Sequence, residues 1–114
     1  MKIAIIGSRK LKIDNFADYI KDDVTEIVSG GACGIDTCAK EYALSKCIKY
    51  TEFLPEYNRF GRYAPLKRNI LIIEYSDKVI AFWDGKSKGT AFVINECKKK
   101  NKPCEIILVQ DITT

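Results

Sequence analysis

The chain reads as an α/β protein with a five-stranded, mostly parallel sheet in the order 3-2-1-4-5 and helices on both faces, a three-layer sandwich. Three observations predict it. Short apolar runs of strand length alternate with longer runs whose apolar residues recur at three and four. Two glycine-rich turns, Ser29-Gly30-Gly31-Ala32-Cys33-Gly34-Ile35-Asp36 and Asp84-Gly85-Lys86-Ser87-Lys88-Gly89-Thr90, each follow a strand-like run and open a helix-like one. Lys78–Trp83 is apolar almost throughout, as a central parallel strand should be. The 114 residues suffice for one domain with a real core, so residues 1–114 are read as a single unit.

In chain order, Lys2–Ile6 is a buried strand ending at Gly7-Ser8-Arg9. Asp14 is placed to cap a helix reaching Lys21, with Phe16, Tyr19 and Ile20 on one face. Glu26–Val28 is the second strand, and it runs into the first glycine turn. A helix over 34–47 follows, because Ile35, Cys38, Ala39, Tyr42 and Ala43 keep the helical period. Ile48–Phe53 is the third strand. Residues 56–63 are polar, aromatic and basic and read as a loop. Ala64-Pro65 starts a helix to Tyr75, with proline in its first turn. Lys78–Trp83, a helix over 89–100 and Glu105–Val109 complete the series.

Composition narrows the chemistry. Apolar residues at 46 % and charged residues at 30 % are ordinary for a globular protein, and no apolar run approaches the ~20 residues of a membrane helix. The apolar part of the N-terminus is too short for a signal peptide, so a cytoplasmic location is expected and no membrane partner. The five cysteines have no C-x-x-C spacing and are expected to be reduced and mostly buried. Cys33 is the one to watch, in a glycine turn near a helix start. Histidine is absent, which removes Ser-His-Asp and Cys-His nucleophiles and histidine-held metals; no metal site is expected. The net charge of +4 favours anionic partners only weakly. The run Lys98-Lys99-Lys100-Asn101-Lys102 reads as a solvated helix end before it reads as a nucleic-acid patch.

In parallel sheets, ligands bind at the carboxyl ends of the strands where the strand order reverses. The order 3-2-1-4-5 puts that reversal between strands 1 and 4 and brings three turns to one rim. Glycines let a backbone come close to a ligand, and amides at a helix start point at it, so the rim is a candidate anion site. Neither turn is a strict nucleotide fingerprint: Gly-x-Gly-x-x-Gly is absent after strand 1, and Gly85 to Thr90 lacks Walker spacing.

The set Gly7-Ser8-Arg9, Ser29-Gly30-Gly31-Ala32-x-Gly34-Ile35-Asp36, Lys67-Arg68-Asn69-x-x-Ile72, Ser76-Asp77 and Gly85-x-Ser87-x-Gly89-Thr90 resembles, in order and spacing, the SLOG superfamily. This Rossmann-like group contains the DNA-processing protein DprA/Smf, the Lonely Guy phosphoribohydrolases and small YspA/YpsA-type proteins. The shortness of the chain looks most like the last. The resemblance covers nearly the whole chain and implies a pocket for a nucleotide or nucleotide derivative, with members that often self-associate into homo-oligomers.

The ligand-binding candidates are Gly7, Ser8, Arg9, Gly30, Gly31, Asp36, Arg68, Asn69, Asp84, Gly85, Ser87, Gly89 and Thr90. Gly85 to Thr90 would wrap phosphate with amides and hydroxyls. Arg9 and Arg68 would grip it with planar forks, although Arg68 on a helix exterior is by default a solvated charge. Gly30 and Gly31 would let the second turn approach a ribose or base. Asp36 would either accept a ribose hydroxyl or cap its helix. Asn69 would orient the arginine or the loop. Phe82 reads as core; Trp83 is core or a stacking platform. Tyr57, Arg59, Phe60, Arg62 and Tyr63 interleave rings with cations, as a base-stacking surface or a self-packed loop would.

The expected function is binding of a nucleotide or ADP-ribose-like ligand at the rim, as a sensor or sequestering module, with no other cofactor. Two alternatives stand beside it. One is a nucleoside monophosphate phosphoribohydrolase or other nucleotide hydrolase, with Asp84 or Asp36 as its carboxylate. The glutamate of the Lonely Guy pattern falls on Val93 here, which can neither move a proton nor stabilise an oxocarbenium ion. The other is a single-stranded DNA binder of the DprA/Smf kind.

Overall fold

The computed structural model describes residues 1–8, 11, 13, 15–20, 23–31 and 34–109. Its sheet has five strands, β1 (Lys2–Gly7), β2 (Glu26–Ser29), β3 (Lys49–Glu52), β4 (Lys78–Trp83) and β5 (Cys104–Leu108), in the order β3-β2-β1-β4-β5. Every pairing is parallel, so the expected strand order holds. Four α-helices, α1 (Ile35–Ser45), α2 (Tyr57–Phe60), α3 (Ala64–Tyr75) and α4 (Lys88–Lys99), lie among them. No helix among the described residues is long and apolar enough to cross a membrane.

Alternation along β1 divides the core in two. Ile3 and Ile5 face one side, where Ile35, Ala39 and Ala43 of α1 pack with Phe16, Ile20, Ile27 and Phe82. Ala4 and Ile6 face the other, where Ile72 and Ile73 of α3 and Val93 and Cys97 of α4 pack. Each fully buried aliphatic side chain contributes about 1.5–3 kcal/mol. Phe82 is fully buried, as its sequence position implied, and receives Phe16 and Tyr19 edge-on at centroid distances of 5.4 and 5.3 Å.

Two expected elements differ. The helix expected over 14–21 is a 3-10 turn, Phe16–Asp18. Its apolar repeat ends at Ile20, so one turn satisfies it, and the Ile20 amide already closes on the Phe16 carbonyl. Asp14, its expected cap, lies outside the described residues. Of residues 56–63, expected as a loop, 57–63 are helical: α2 is followed by a 3-10 turn, Gly61–Tyr63, that runs into α3. Gly61, at φ 57°, breaks the path between α2 and that turn.

The thiols also differ from expectation. Of the four described, only Cys97 is buried; Cys38 and Cys104 are half-buried and Cys47 is exposed, and all are free. Cys33 lies outside the described residues. The basic run is the solvated helix end the sequence indicated: Lys99 and Lys100 pair with Glu96 and Glu74, and Lys102 Nζ donates to the Ser76 carbonyl. These exposed pairs add little stability.

Candidate functional site

The carboxyl ends of β1, β2 and β4 meet at one cavity of about 660 Å³, a size suited to a small ligand. Of the expected site residues, Gly7, Ser8, Gly30, Asp36, Arg68, Asn69, Asp84, Ser87, Gly89 and Thr90 line it. The three tips do converge. Gly31 and Gly85 are not in the lining, and Arg9 lies outside the described residues. Pro65, Leu66 and Ile72 of α3, Ile6 of β1 and Lys86 join the wall without having been singled out. Lys86 carried a signal as the cation inside a glycine turn, and Ile72 as the end of the Lys67-to-Ile72 motif; the others are apolar residues whose place in the lining follows from how α3 crosses the end of β1.

Asp84 builds the third turn. Its Oδ1 accepts from the amides of Lys86 and Ser87, both at 2.8 Å. These two backbone bonds, Lys86 first, hold its pKa below the usual carboxylate value, so Asp84 stays ionised at neutral pH and is a poor general acid. Gly85, between Asp84 and Lys86, takes φ 82°, a conformation the turn requires and glycine adopts freely. Trp83 is half-buried and donates from its indole to the Ser87 carbonyl at 3.1 Å; it pins the turn, a role between the core and stacking readings.

α4 then begins with an open end. The amides of Lys88, Gly89 and Thr90 precede the first intrahelical bond, from Ala91 N to Ser87 O. The Ser87 hydroxyl does not cap them; it lies 3.5 Å from Thr90 Oγ1. A methyl group built on Gly89 would touch nothing. Nearby, Ser8 is 4 % exposed and its hydroxyl makes no hydrogen bond of good geometry, although it lies close enough to Asp84 to favour that carboxylate's charge.

Arg68 is not the solvated charge its helix position implied. It is 8 % exposed, and Nη1 donates to the carbonyls of Gly30 at 2.6 Å and Phe53 at 3.4 Å. Nε donates to Asn69 Oδ1 at 2.8 Å, so Asn69 orients the arginine. Much of the fork thus tethers the second turn to α3 instead of standing open for phosphate. The glycines of that turn serve the same packing. A side chain on Gly30 would strike the Arg68 guanidinium; one on Gly31, at φ 73°, would strike Glu52 and Leu54. Close approach there is required by this chain's own side chains. Gly7 likewise makes room for Ile35, which seats α1 on β1.

Asp36 sits in the first turn of α1, 7 % exposed and on the cavity wall. Val93 is fully buried in the core. Among the described residues no three His, Cys, Asp or Glu side chains gather as a metal site.

Beside the cavity, α2 and the following turn carry stacked cations and rings. The Arg59 guanidinium lies 4.9 Å from the Phe60 ring centre, Arg62 5.2 Å from Tyr63, and Lys67 Nζ 5.9 Å from Phe60. Tyr57 and Tyr63 are each more than half exposed. The segment leads straight into Pro65 and Leu66 on the cavity wall.

Residues 1–55 match the family model for DNA recombination-mediator protein A. A solved structure of DNA processing protein A from Helicobacter pylori, described for its single-stranded DNA binding mode, is similar across 99 % of this chain and 67 % of its own, with 26 % identity and a TM-score of 0.70. No curated protein sequence matches significantly. The chain has a DprA-like Rossmann fold, and the family match over its first 55 residues agrees with the resemblance of its motifs to the SLOG superfamily.

Proposed function

We propose that this protein binds single-stranded nucleic acid, with a phosphate at the open end of α4 and bases on the aromatic surface of residues 57–63. The observation that carries the proposal is the continuity of the two: exposed Tyr57 and Tyr63, with Arg59, Arg62 and Lys67 against aromatic rings, adjoin the cavity wall. Rings give sequence-tolerant stacking and cations track a backbone. The likeness to a protein described for binding single-stranded DNA supports the same reading.

Fluorescence anisotropy with a labelled 12-nucleotide strand and its duplex tests it. The single strand should bind with a log–log salt slope of about −3, from Arg59, Arg62, Lys67 and Lys86 at about 0.7 per phosphate contacted. Replacing Tyr57 or Tyr63 with alanine should weaken binding by about 1–3 kcal/mol each. Salt-insensitive binding, or preference for the duplex, would refute it.

A second reading is a free nucleotide or ADP-ribose-like ligand held in the cavity. Its support is the cavity's size and concavity. Calorimetric titration with AMP, ADP-ribose, NAD and cyclic dinucleotides tests it; binding to one of these without binding to any oligonucleotide would favour it over the first. Hydrolysis gains no support from the buried Val93 or from Asp84, whose carboxylate is committed to its turn.

A further inference from the structure

The chain reverses tightly between α4 and β5. Asn101 takes φ 55°, and the Lys102 amide reaches back to the Cys97 carbonyl at 2.9 Å, a closure that fixes the end of α4. Two residues later Cys104 opens β5, in register with Val79. The turn thus brings both cysteines to one side of the sheet. Cys97 is fully buried among Ile72, Ile73, Val79 and Val93, and the half-buried Cys104 packs against that cluster. Cys38 packs on the opposite face of the sheet, and Cys47 is exposed just beyond the end of α1.

The two thiols are unequal. The Cys97 thiol lies close enough to the Cys104 sulfur to stabilise it as a thiolate, and the Lys98 and Lys78 ammonium groups act the same way. The Cys104 pKa therefore falls below the ordinary thiol value, although burial opposes it. Cys97 keeps its proton, because the neighbouring Cys104 sulfur and its own burial both push its pKa up. A half-buried thiolate beside a protonated thiol is the arrangement of a reacting sulfur and its resolving partner.

We propose that Cys104 and Cys97 form a reversible oxidation site that takes a hydroperoxide, with Cys104 as the reacting sulfur and Cys97 as the resolving one. The Cys104 thiolate attacks one peroxide oxygen and the O–O bond breaks. The departing oxygen takes up a proton from water and leaves as water or an alcohol, and Cys104 becomes a sulfenic acid. The Cys97 sulfur then attacks the Cys104 sulfur, the S–O bond breaks, and the hydroxyl leaves as water with the Cys97 proton. Two electrons have passed from the thiols to the peroxide, and a disulfide ties the end of α4 to the start of β5. A dithiol reductant restores the pair by exchange. The site lies at the opposite end of α4 from the rim cavity and acts whatever that cavity holds.

The test treats the reduced protein with one equivalent of hydrogen peroxide, alkylates the remaining thiols and maps tryptic peptides by mass spectrometry. The peptide carrying Cys97, residues 89–98, should be joined to the one carrying Cys104, residues 101–114. The joined pair should be about 2 Da lighter than the sum of its parts, and dithiothreitol should separate it. In Cys97→Ser, dimedone should trap a sulfenic acid on Cys104 at about tenfold the yield in the parent, because nothing resolves it. In Cys104→Ser, Cys97 should stay reduced. Unchanged thermal unfolding verifies both folds; where a variant does not fold, the cross-link in the parent decides alone. A parent with no cross-link, or with one to a different cysteine, overturns the proposal. Dimedone on Cys97 in place of Cys104 overturns it as well.

Discussion

Arg68 Nη1 donates to the Gly30 carbonyl oxygen at 2.6 Å, joining α3 to the turn after β2 across 38 residues. The bond exists because Gly30 has no side chain: a methyl there would occupy the guanidinium's place. An arginine and a glycine that both look like ligand groups in the sequence are first of all partners of each other. Their contact shapes one wall of the rim cavity.

Gly30→Ala should therefore destabilise the protein by about 2–3 kcal/mol, since displacing a buried charged donor leaves carbonyls unpaired. That corresponds to a fall in Tm of about 10 °C by calorimetry. Arg68→Lys should cost a similar amount, because an ammonium cannot serve Gly30, Phe53 and Asn69 from one planar fork. A neutral result for both would show that the tether is dispensable.

Gly7→Ala presses a methyl into Ile35 and should cost about 1–3 kcal/mol by overpacking. Ile35→Ala alone opens a cavity at about 2–5 kcal/mol. The double variant should cost at least about 1 kcal/mol less than the sum, since the added methyl fills space the isoleucine left. Additive costs in chemical denaturation would place the Gly7 effect elsewhere.

The strand order and the convergence of three turns were legible because periodicity, glycine turns and the reversal rule act locally and together. Lys78–Trp83 and Ala64–Tyr75 fall where expected for that reason. What the sequence hid depends on contacts between distant residues. Arg68 on a helix face gives no sign that it turns inward to the Gly30 carbonyl. Glycines at 30 and 31 look alike whether ligand or side chain occupies the space beside them. Residues 56–63 look like a loop because their rings and cations satisfy one another instead of filling the core.

Asp84→Asn keeps an acceptor for the Lys86 and Ser87 amides and removes the charge. It should lower Tm slightly, because the charge those amides favour is lost, and tighten binding of an unphosphorylated strand about threefold, the size of one screened repulsion over several ångströms. Asp84→Ala, which loses the turn's acceptor as well, should weaken binding instead. Titration of both variants at one salt concentration separates the two roles.

Acid should weaken the fold through Glu26. Burial acts to raise its pKa, but hydrogen bonds from Thr51 and Tyr75, both at 2.6 Å, and the Lys49 ammonium bring it below the usual value. A lowered folded-state pKa stabilises the fold above the unfolded value, about 4.3, and that contribution is lost as pH falls through the folded value. The stability advantage of the parent over Glu26→Gln should shrink between about pH 5 and pH 3. Thr51→Val should cost about 1.5 kcal/mol at pH 7 and less at pH 3. An advantage that is flat across this range would contradict the assignment.

The most direct measurement is an amide chemical-shift titration of the 114-residue protein with a 5′-phosphorylated thymidine hexanucleotide. The largest shifts should fall on Ser8, Lys88, Gly89 and Thr90, with Tyr63 and its neighbours moving in step. Shifts confined to the Lys98–Lys102 run, with the amides at the start of α4 unmoved, would contradict a phosphate site at the rim.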